Sequence, residues 1–179
     1  MSRTAIGLKA HTGWASAVVI AERRGRIEVI AKARIAMIDG FDQAAVYHHG
    51  HEGGLSAAQA RPIIEAAFRT AVERATPELG KLVRAPAHAG ILAGRQKPLP
   101  DLEVILRAHP LVHAAEGELY RNVLLKACEA LGLRAVKVPA KELPRIPELL
   151  AQAGAASGKP WAAEQRECAL AAWVAAGWA

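Results

Sequence analysis

A run of histidines carries the clearest metal-binding chemistry in the sequence. Tyr47-His48-His49-Gly50-His51-Glu52 brings three imidazoles and a carboxylate into one short segment. Imidazole nitrogens suit Zn²⁺ and Ni²⁺, and the glutamate would complete such a site. The segment therefore makes His48, His49 and His51 candidate metal ligands. The alternative is a polar loop that binds no ion, because contiguous histidines rarely point at one metal without a more distant ligand.

The segment 113–121 carries candidate acid and base groups. On a helix, His113 and Glu116 lie three residues apart and share one face, and Glu118 reaches Arg121. Gly117 costs about 1 kcal/mol relative to alanine in a helix interior, which indicates close packing or the approach of a ligand. His113, Glu116 and Glu118 are therefore candidates for acid/base catalysis. The alternative is a first helical turn whose glutamates complement the helix dipole.

The positive charge of the chain points to acidic partners. Its 179 residues include 23 Lys and Arg against 17 Asp and Glu, a formal net charge of +6. The excess falls mainly in segments that the pattern predicts to be strands and the loops after them. Such a surface attracts phosphates, including those of nucleic acid. The alternative is a solvated face that only keeps the protein soluble.

Composition excludes several classes of protein. With 52% hydrophobic and 22% charged residues, the chain is neither disordered nor collagen-like, and it is long enough to bury a core without disulfides. Cys128 and Cys168 lack metal-ligand spacing and are expected to be buried free thiols. No Walker A, GxGxxG, HExxH or GxSxG pattern occurs, so no cofactor is predicted. We expect a soluble, cytoplasmic protein, without a secretory signal or a membrane span.

The elements that must position these groups follow from hydrophobic spacing. Turns at 11–13 and 23–26 divide the opening residues into a predicted antiparallel meander of three strands. Helical stripes then alternate with short apolar runs. The order β-β-β-α-β-α-β-α predicts one α/β domain over residues 1–179, with a mixed five-stranded sheet flanked by helices. The predicted elements after the meander cover 57–75, 88–94, 101–108, 115–131, 134–138 and 161–176.

Caps and prolines predict the ends of these helices. Ser56 with Gln59 matches a capping box that would begin the first long helix, and Thr76-Pro77 is expected to end it. Pro62 would either kink a helix that begins at Ala57 or occupy the first position of one that begins later. His109-Pro110 is expected to break the short helix at 101–108. The stretch 39–55, which contains the histidine run, is predicted to be a polar connection.

This order of elements is that of the ribonuclease H-like fold, and particular residues resemble the RuvC-type Holliday-junction resolvases. There a Gly-hydrophobic-Asp strand end precedes a glycine-containing turn and a Thr-Gly-aromatic strand, and acidic residues precede an Asp-Ala-Leu-Ala run in the last helix. The residues that carry the resemblance here are Gly7-Leu8-Lys9, Thr12-Gly13-Trp14, Val18-Val19-Ile20, Glu164, Glu167 and Cys168-Ala169-Leu170-Ala171. The resemblance spans roughly residues 4–177 and implies the same fold.

The resemblance also implies a nuclease site that this sequence departs from. Two-metal cleavage of a phosphodiester needs several carboxylates around Mg²⁺. The resolvases' first-strand Asp corresponds to Lys9, and their carboxylate near the end of the fourth strand falls in Gly94-Arg95-Gln96-Lys97. An ammonium cannot coordinate Mg²⁺. We therefore expect a ribonuclease H-like protein that lacks metal-dependent nuclease activity and binds nucleic acid or another phosphate-bearing anion.

In this fold the first and fourth strands are neighbours, which predicts an anion-binding edge. Lys9, His11, Arg95 and Lys97 would emerge there together, in place of the family's metal site. The alternative is an internal ion pair between Lys9 and a glutamate of the cleft, either Glu116, Glu164 or Glu167.

Two other functions remain open from the sequence. An enzyme with nonstandard chemistry would combine Lys9 with the acid and base candidates of segment 113–121, and possible catalytic carboxylates also include Glu164 and Glu167. An interaction module would use the aromatic end of the chain for homo-oligomerisation through the C-terminal helix. The default for Trp161 and Trp173 is packing on the sheet.

Overall fold

The computed structural model describes residues 3–84, 87–94 and 97–178. The chain opens with an antiparallel meander of β1 (Arg3–His11), β2 (Trp14–Arg23) and β3 (Arg26–Ala36). Gly13 takes a φ of 80° in the first turn, and Gly25 takes a φ of 77° in the second. Both are conformations that glycine adopts at little cost. The predicted meander is confirmed.

Two parallel strands complete the sheet. β4 (His88–Ala93) pairs with β1, and β5 (Arg134–Pro139) pairs with β4. The described residues thus form a five-stranded mixed sheet in the order β3-β2-β1-β4-β5. The sequence prediction of a mixed α/β sheet with adjacent first and fourth strands is confirmed.

Helices cover both faces of this sheet. They are α1 (Phe41–Ala44), α2 (Val46–Glu52), α3 (Ala57–Leu82), α4 (Leu102–Ile105), α5 (His109–Ala130), α6 (Glu148–Ala156) and α7 (Ala163–Ala175), with a 3₁₀ turn at Ala140–Glu142. Residues of α3 and α5 build one apolar core with alternate strand residues such as Ile6 and Leu8. Residues of α7 build a second core on the opposite face with Ala5 and Val18.

The helices differ from the sequence prediction in three places. α3 begins at the Ser56 cap, the earlier of the two starts left open, and continues through Pro62 and Pro77 to Leu82. The stretch 39–55 is not a loop, because α1 and α2 form there. His109-Pro110 begins α5 instead of breaking a helix, since a proline in the first turn of a helix needs no amide partner.

Hydrogen bonds from side chains of α5 hold α1 and α2 in place. The buried Tyr120 hydroxyl donates a hydrogen bond to the Ala44 carbonyl at 2.7 Å. One turn earlier on α5, the Glu116 carboxylate accepts from the backbone amide of Tyr47 at 3.1 Å. Desolvation raises the pKa of Tyr120, as expected for a phenol enclosed in a core. The segment that carries the histidine run is therefore anchored on α5.

The two cysteines agree with the sequence analysis. Cys128 and Cys168 are buried free thiols, and burial raises the pKa of each to about 12. In the described part of the chain, no helix has the length and apolar character required to cross a membrane.

Candidate functional site

The carboxyl end of β1 meets the beginning of α7 in a cleft of paired charges. Lys9 and His11 lie two residues apart on β1 and therefore point to the same face of the sheet. The Lys9 ammonium donates to Glu167 Oε2 at 2.8 Å, and His11 Nε2 lies 2.5 Å from Glu164 Oε1. We call these four residues the ion-paired cleft.

Two glycines bring α7 close enough to form this cleft. A Cβ atom on Gly7 would lie 1.6 Å from the Cys168 carbonyl oxygen, and one on Gly90 would lie 2.1 Å from the Ala171 oxygen. The backbone of α7 thus rests directly on β1 and β4, which only glycine permits. This contact places the turn of α7 before Cys168, and its two glutamates, over the end of β1.

The hydrogen bonds of the cleft favour its charged forms. The bond to Glu167 raises the pKa of Lys9, against the opposing effect of burial. Burial alone would raise the pKa of Glu164, but hydrogen bonds from Ser16 and His11 outweigh it and lower that pKa. The His11 ring also stacks on Trp14, with centroids 4.0 Å apart. The polar groups of the cleft are thus bonded to one another, Lys9 to Glu167 and His11 to Glu164.

Magnesium does not fit this donor set. The resolvase resemblance expects carboxylates here that would share two Mg²⁺ ions between them. Instead, the Lys9 ammonium is bonded to one of the two glutamates, and His11 contacts the other. A divalent cation at this point would face the ammonium charge directly, with too few oxygen ligands.

The predicted anion site does not assemble from the described residues. Lys9 bonds to Glu167, which is the ion-pair alternative of the sequence analysis, and His11 contacts Glu164. Lys97 lines a separate cavity of about 370 Å³ beside Gly94 and Arg121. Arg95 lies outside the described residues.

Glu118 belongs to another ion pair and not to a catalytic group with Lys9. It accepts from Arg121 Nε at 3.0 Å and from Lys137 Nζ. Burial would raise the pKa of Glu118, but the bonds from Lys137 and Arg121 lower it. Lys9 faces α7, whereas α5 packs on the opposite side of the sheet. The sheet therefore separates Lys9 from the acid and base candidates of segment 113–121.

A second cluster lies where α2 packs against the beginning of α5. His48 of α2 meets His109 and His113 of α5, and one ligand nitrogen from each lies within 4.8 Å of the others. His48 Nε2 is 3.2 Å from His113 Nδ1, and the rings of His109 and His113 are 4.4 Å apart between centroids. We call these three residues the histidine cluster.

Glu116 lies behind the histidine cluster and orients His48 by a hydrogen bond. This carboxylate is 2% exposed, and its Oε2 accepts from His48 Nδ1 at 3.0 Å. In the described residues its other oxygen, Oε1, is buried without a hydrogen-bond partner. Burial raises the pKa of Glu116, and the hydrogen bonds from His48 and Tyr47 oppose that increase. Burial, together with the neighbouring charges of His48 and His109, lowers the pKa of His113.

The other histidines of the run point elsewhere. His51 Nδ1 donates to the Leu106 carbonyl at 2.7 Å, and its ring centroid is 5.8 Å from that of His109. His49 is exposed. Of the three metal candidates in the run, only His48 joins the cluster, and the distant ligands are His109 and His113. The sequence signal for that pair was their spacing of four residues at the beginning of a helix.

The aromatic end of the chain packs into its own core. Trp173 is 8% exposed and its ring centroid lies 5.8 Å from that of Trp178. The Arg3 guanidinium lies 5.4 Å from the centre of the Trp178 ring. Trp161 covers Gly154, where a Cβ atom would lie 1.9 Å from the indole. Homo-oligomerisation through the C-terminal helix stays a prediction.

Solved structures share the fold at low sequence identity. T. thermophilus RuvC in complex with a Holliday junction substrate matches with a TM-score of 0.50 and 11% identity, over 95% of this chain and 90% of that chain. A second Thermus thermophilus RuvC structure gives a TM-score of 0.45 at 11% identity, over 94% and 90%. An Aquifex aeolicus PPX-GPPA enzyme gives 0.36 at 10% identity, over 81% of this chain and 38% of that one. No protein-family model and no curated protein sequence matches the chain.

The match to the RuvC complex supports the class of fold. The mixed sheet, its strand order and the helices on both faces define a ribonuclease H-like α/β fold. At 11% identity, the likeness to the RuvC complex shows the fold alone, and activity must be argued from the site.

Proposed function

We propose that this protein binds nucleic acid without cleaving it, as an inactive relative of the RuvC-type resolvases. The observation that carries the proposal is the 2.8 Å bond between the Lys9 ammonium and Glu167. It lies where the resemblance expects a metal-binding carboxylate. Two-metal hydrolysis needs ions that activate the attacking water and stabilise the leaving oxygen, and the ion-paired cleft offers those ions no site.

The distribution of positive charge supports binding to phosphates. The net charge is +6, and the turn between β2 and β3 exposes Arg23, Arg24 and Arg26 around an open concavity. Lys97 is exposed in the cavity at the end of β4. Arginine and lysine side chains of this kind bind phosphate oxygens and release counterions from the nucleic acid. The fold that this chain shares with the RuvC complex supports the same partner class.

The test is a binding and cleavage measurement on the same substrates. Fluorescence anisotropy with a four-way DNA junction, single-stranded DNA and RNA should show binding that weakens linearly with the logarithm of salt concentration. The same substrates should remain intact in Mg²⁺ or Mn²⁺. Cleavage that depends on either metal would overturn the inactive assignment. Absence of salt-sensitive binding to all three substrates would overturn the nucleic-acid proposal.

Matched charge variants locate the binding surface. Replacing Arg24 and Arg26 with glutamine should weaken binding to every substrate and reduce the salt slope by about 2, because each lost phosphate contact removes about one unit. The control replaces Arg69 and Lys126, two exposed cations on helices, and should change neither quantity. Equal effects of the two pairs would show nonspecific attraction to the whole surface. Equally tight binding of heparin would instead favour another phosphate-like or sulfated anion over nucleic acid.

A further inference from the structure

We propose that His48, His109 and His113 bind one transition-metal ion of the Zn²⁺ class, with a fourth position open to solvent. This site lies across the sheet from the ion-paired cleft and is independent of the proposed nucleic-acid function. Three imidazoles converge at this place, and the buried Glu116 is bonded to one of them.

The geometry of the cluster suits a tetrahedral ion. Two nitrogens bound to tetrahedral Zn²⁺ at its usual ligand distance are separated by about 3.3 Å. His48 Nε2 and His113 Nδ1 are already 3.2 Å apart. His109 and His113 are four residues apart on α5 and so lie on one face of that helix. All three ligand nitrogens lie within 4.8 Å of one another, which small side-chain rotations convert into a coordination shell.

The hydrogen bond to Glu116 already selects the tautomer of His48 that a metal needs. Glu116 Oε2 accepts from His48 Nδ1, so the lone pair of His48 is on Nε2 and faces the cluster. Without metal, His113 Nδ1 donates its proton to that lone pair. When the ion binds, the His113 proton moves to Nε2 of its own ring, and both facing nitrogens become free to coordinate. The neutral imidazole is the form that binds metal.

Glu116 supplies the outer partner of the site. A ligating histidine typically donates its other N–H to a carboxylate, which fixes the ring and increases its basicity as a ligand. Glu116 does so for His48 while only 2% exposed. A buried carboxylate is unfavourable when its charge is uncompensated. A divalent ion bound to His48 would compensate the charge of Glu116 through the imidazole ring. Metal binding would therefore explain why a carboxylate is buried beside His48.

The donor set selects the kind of ion. Three imidazoles favour Zn²⁺, Cu²⁺, Ni²⁺ or Co²⁺ over Mg²⁺ and Ca²⁺, which prefer oxygen ligands. His109 and His113 are exposed, so the ion would reach solvent and keep a water or a small anion as its fourth ligand. Three protein ligands with one open position are typical of catalytic zinc sites and not of structural ones.

The experiment is isothermal titration of the untagged protein with Zn²⁺, paired with visible absorption on titration with Co²⁺. Wild type should bind one ion, and Co²⁺ should give the intense absorption of a tetrahedral site. His109→Ala and His113→Ala remove exposed side chains and should leave the fold intact, which circular dichroism checks. Each should weaken Zn²⁺ binding by more than about 100-fold, because loss of an outer partner alone weakens binding by about 10- to 100-fold.

His49→Ala is the matched control. It removes an exposed histidine of α2 that lies outside the cluster and should leave Zn²⁺ affinity and the Co²⁺ spectrum unchanged. The proposal is overturned if wild type shows no saturable binding, or if His109→Ala and His113→Ala bind as tightly as wild type. Equal weakening by His49→Ala would also overturn it, since binding would then belong to the histidine run of α2.

Discussion

The ion-paired cleft and the histidine cluster are built from similar residue types and have opposite chemistry. Both combine glutamates with basic side chains at the end of a packed element. In the cleft, Lys9 bonds to Glu167 at 2.8 Å and brings a proton and a charge. In the cluster, His48 bonds to Glu116 at 3.0 Å and keeps a lone pair on its other nitrogen. In our proposals, the first arrangement leaves no site for Mg²⁺, and the second binds a transition-metal ion.

The difference teaches that the presence of carboxylates does not by itself indicate a metal site. Glu164 and Glu167 resemble the acidic residues in the last helix of a nuclease family, yet His11 and Lys9 already contact them. Glu116 touches no ion directly in our proposal, yet it determines which nitrogen of His48 is free. In both places the partner of the carboxylate decides the chemistry.

The largest effect is expected from separating α7 from the sheet. Gly7→Ala would place a methyl group 1.6 Å from the Cys168 carbonyl oxygen, so α7 must move. We expect a loss of about 3 kcal/mol or more in the free energy of unfolding, at or above the upper end of the usual cost of overpacking. Chemical denaturation measures it. Gly94→Ala is the control, because no described atom lies within 4 Å of the added methyl; equal stability of both variants would contradict this packing of the cleft.

Zinc bound at the histidine cluster should stabilise the folded protein. At a free Zn²⁺ concentration about 100 times Kd, binding to the native state alone contributes about 2.7 kcal/mol. For a chain of this length that corresponds to an increase in Tm of roughly 5–10 °C. Differential scanning calorimetry should show the increase in wild type and in His49→Ala. An equal increase in His113→Ala would place the stabilising ion elsewhere.

Glu116→Gln tests the outer partner of the histidine cluster. The amide keeps the volume of the carboxylate but loses the charge that holds the His48 N–H, so Zn²⁺ should bind about 10- to 100-fold more weakly. Titration calorimetry measures the change. A merely structural role for Glu116 would reduce stability while leaving the zinc affinity of the folded protein unchanged, and that result would contradict the positioning role.

The smallest effect is expected from the cleft's own ion pair. The side chains of Lys9 and Glu167 are 36% and 42% exposed, and pairs with this exposure contribute about 0.2–1 kcal/mol. Lys9→Met should therefore reduce the free energy of unfolding by less than about 1 kcal/mol at neutral pH. Urea denaturation of the two proteins measures the difference.

The pH dependence of that difference follows from the pKa shifts. The hydrogen bond to Glu167 raises the pKa of Lys9. The stability that this bond adds is therefore complete below the ordinary lysine pKa and is lost as pH rises through the raised value. Lys9 also helps to lower the pKa of Glu164. The stability that comes from this attraction is complete above the ordinary glutamate pKa and is lost as pH falls through the lowered value. The difference between wild type and Lys9→Met should be flat between these limits and decrease beyond both. A maximum within the plateau would contradict this account.

Local sequence signals were sufficient for the sheet. The turn glycines, the alternation along β3 and the short apolar runs bounded by proline and glycine each specify a strand without reference to the rest of the chain. α2 was missed because its polar, histidine-rich sequence is stabilised from outside. Glu116 accepts from its Tyr47 amide, and Tyr120 holds the preceding Ala44 carbonyl. Neither contact is visible in a local pattern.

The candidate sites also depend on contacts that a local sequence pattern does not reveal. The pairing of Lys9 with a glutamate of the cleft was predicted as an alternative, because the resemblance to the resolvases placed those positions together. His109 was missed as a ligand because His109-Pro110 was interpreted as a helix break and not as a helix start. His48 and His113 are 65 residues apart in sequence, and only the packing of α2 on α5 brings them to 3.2 Å.

The contrast between the two regions is tested most directly by anomalous X-ray diffraction from crystals soaked with Zn²⁺ and Mn²⁺. Mn²⁺ shares the preference of Mg²⁺ for oxygen ligands, and the two soaked ions are distinguished by their absorption edges. We predict a zinc peak between His48, His109 and His113 and no manganese peak beside Glu164 and Glu167. Manganese bound between those two glutamates, or histidines without zinc, would contradict the account.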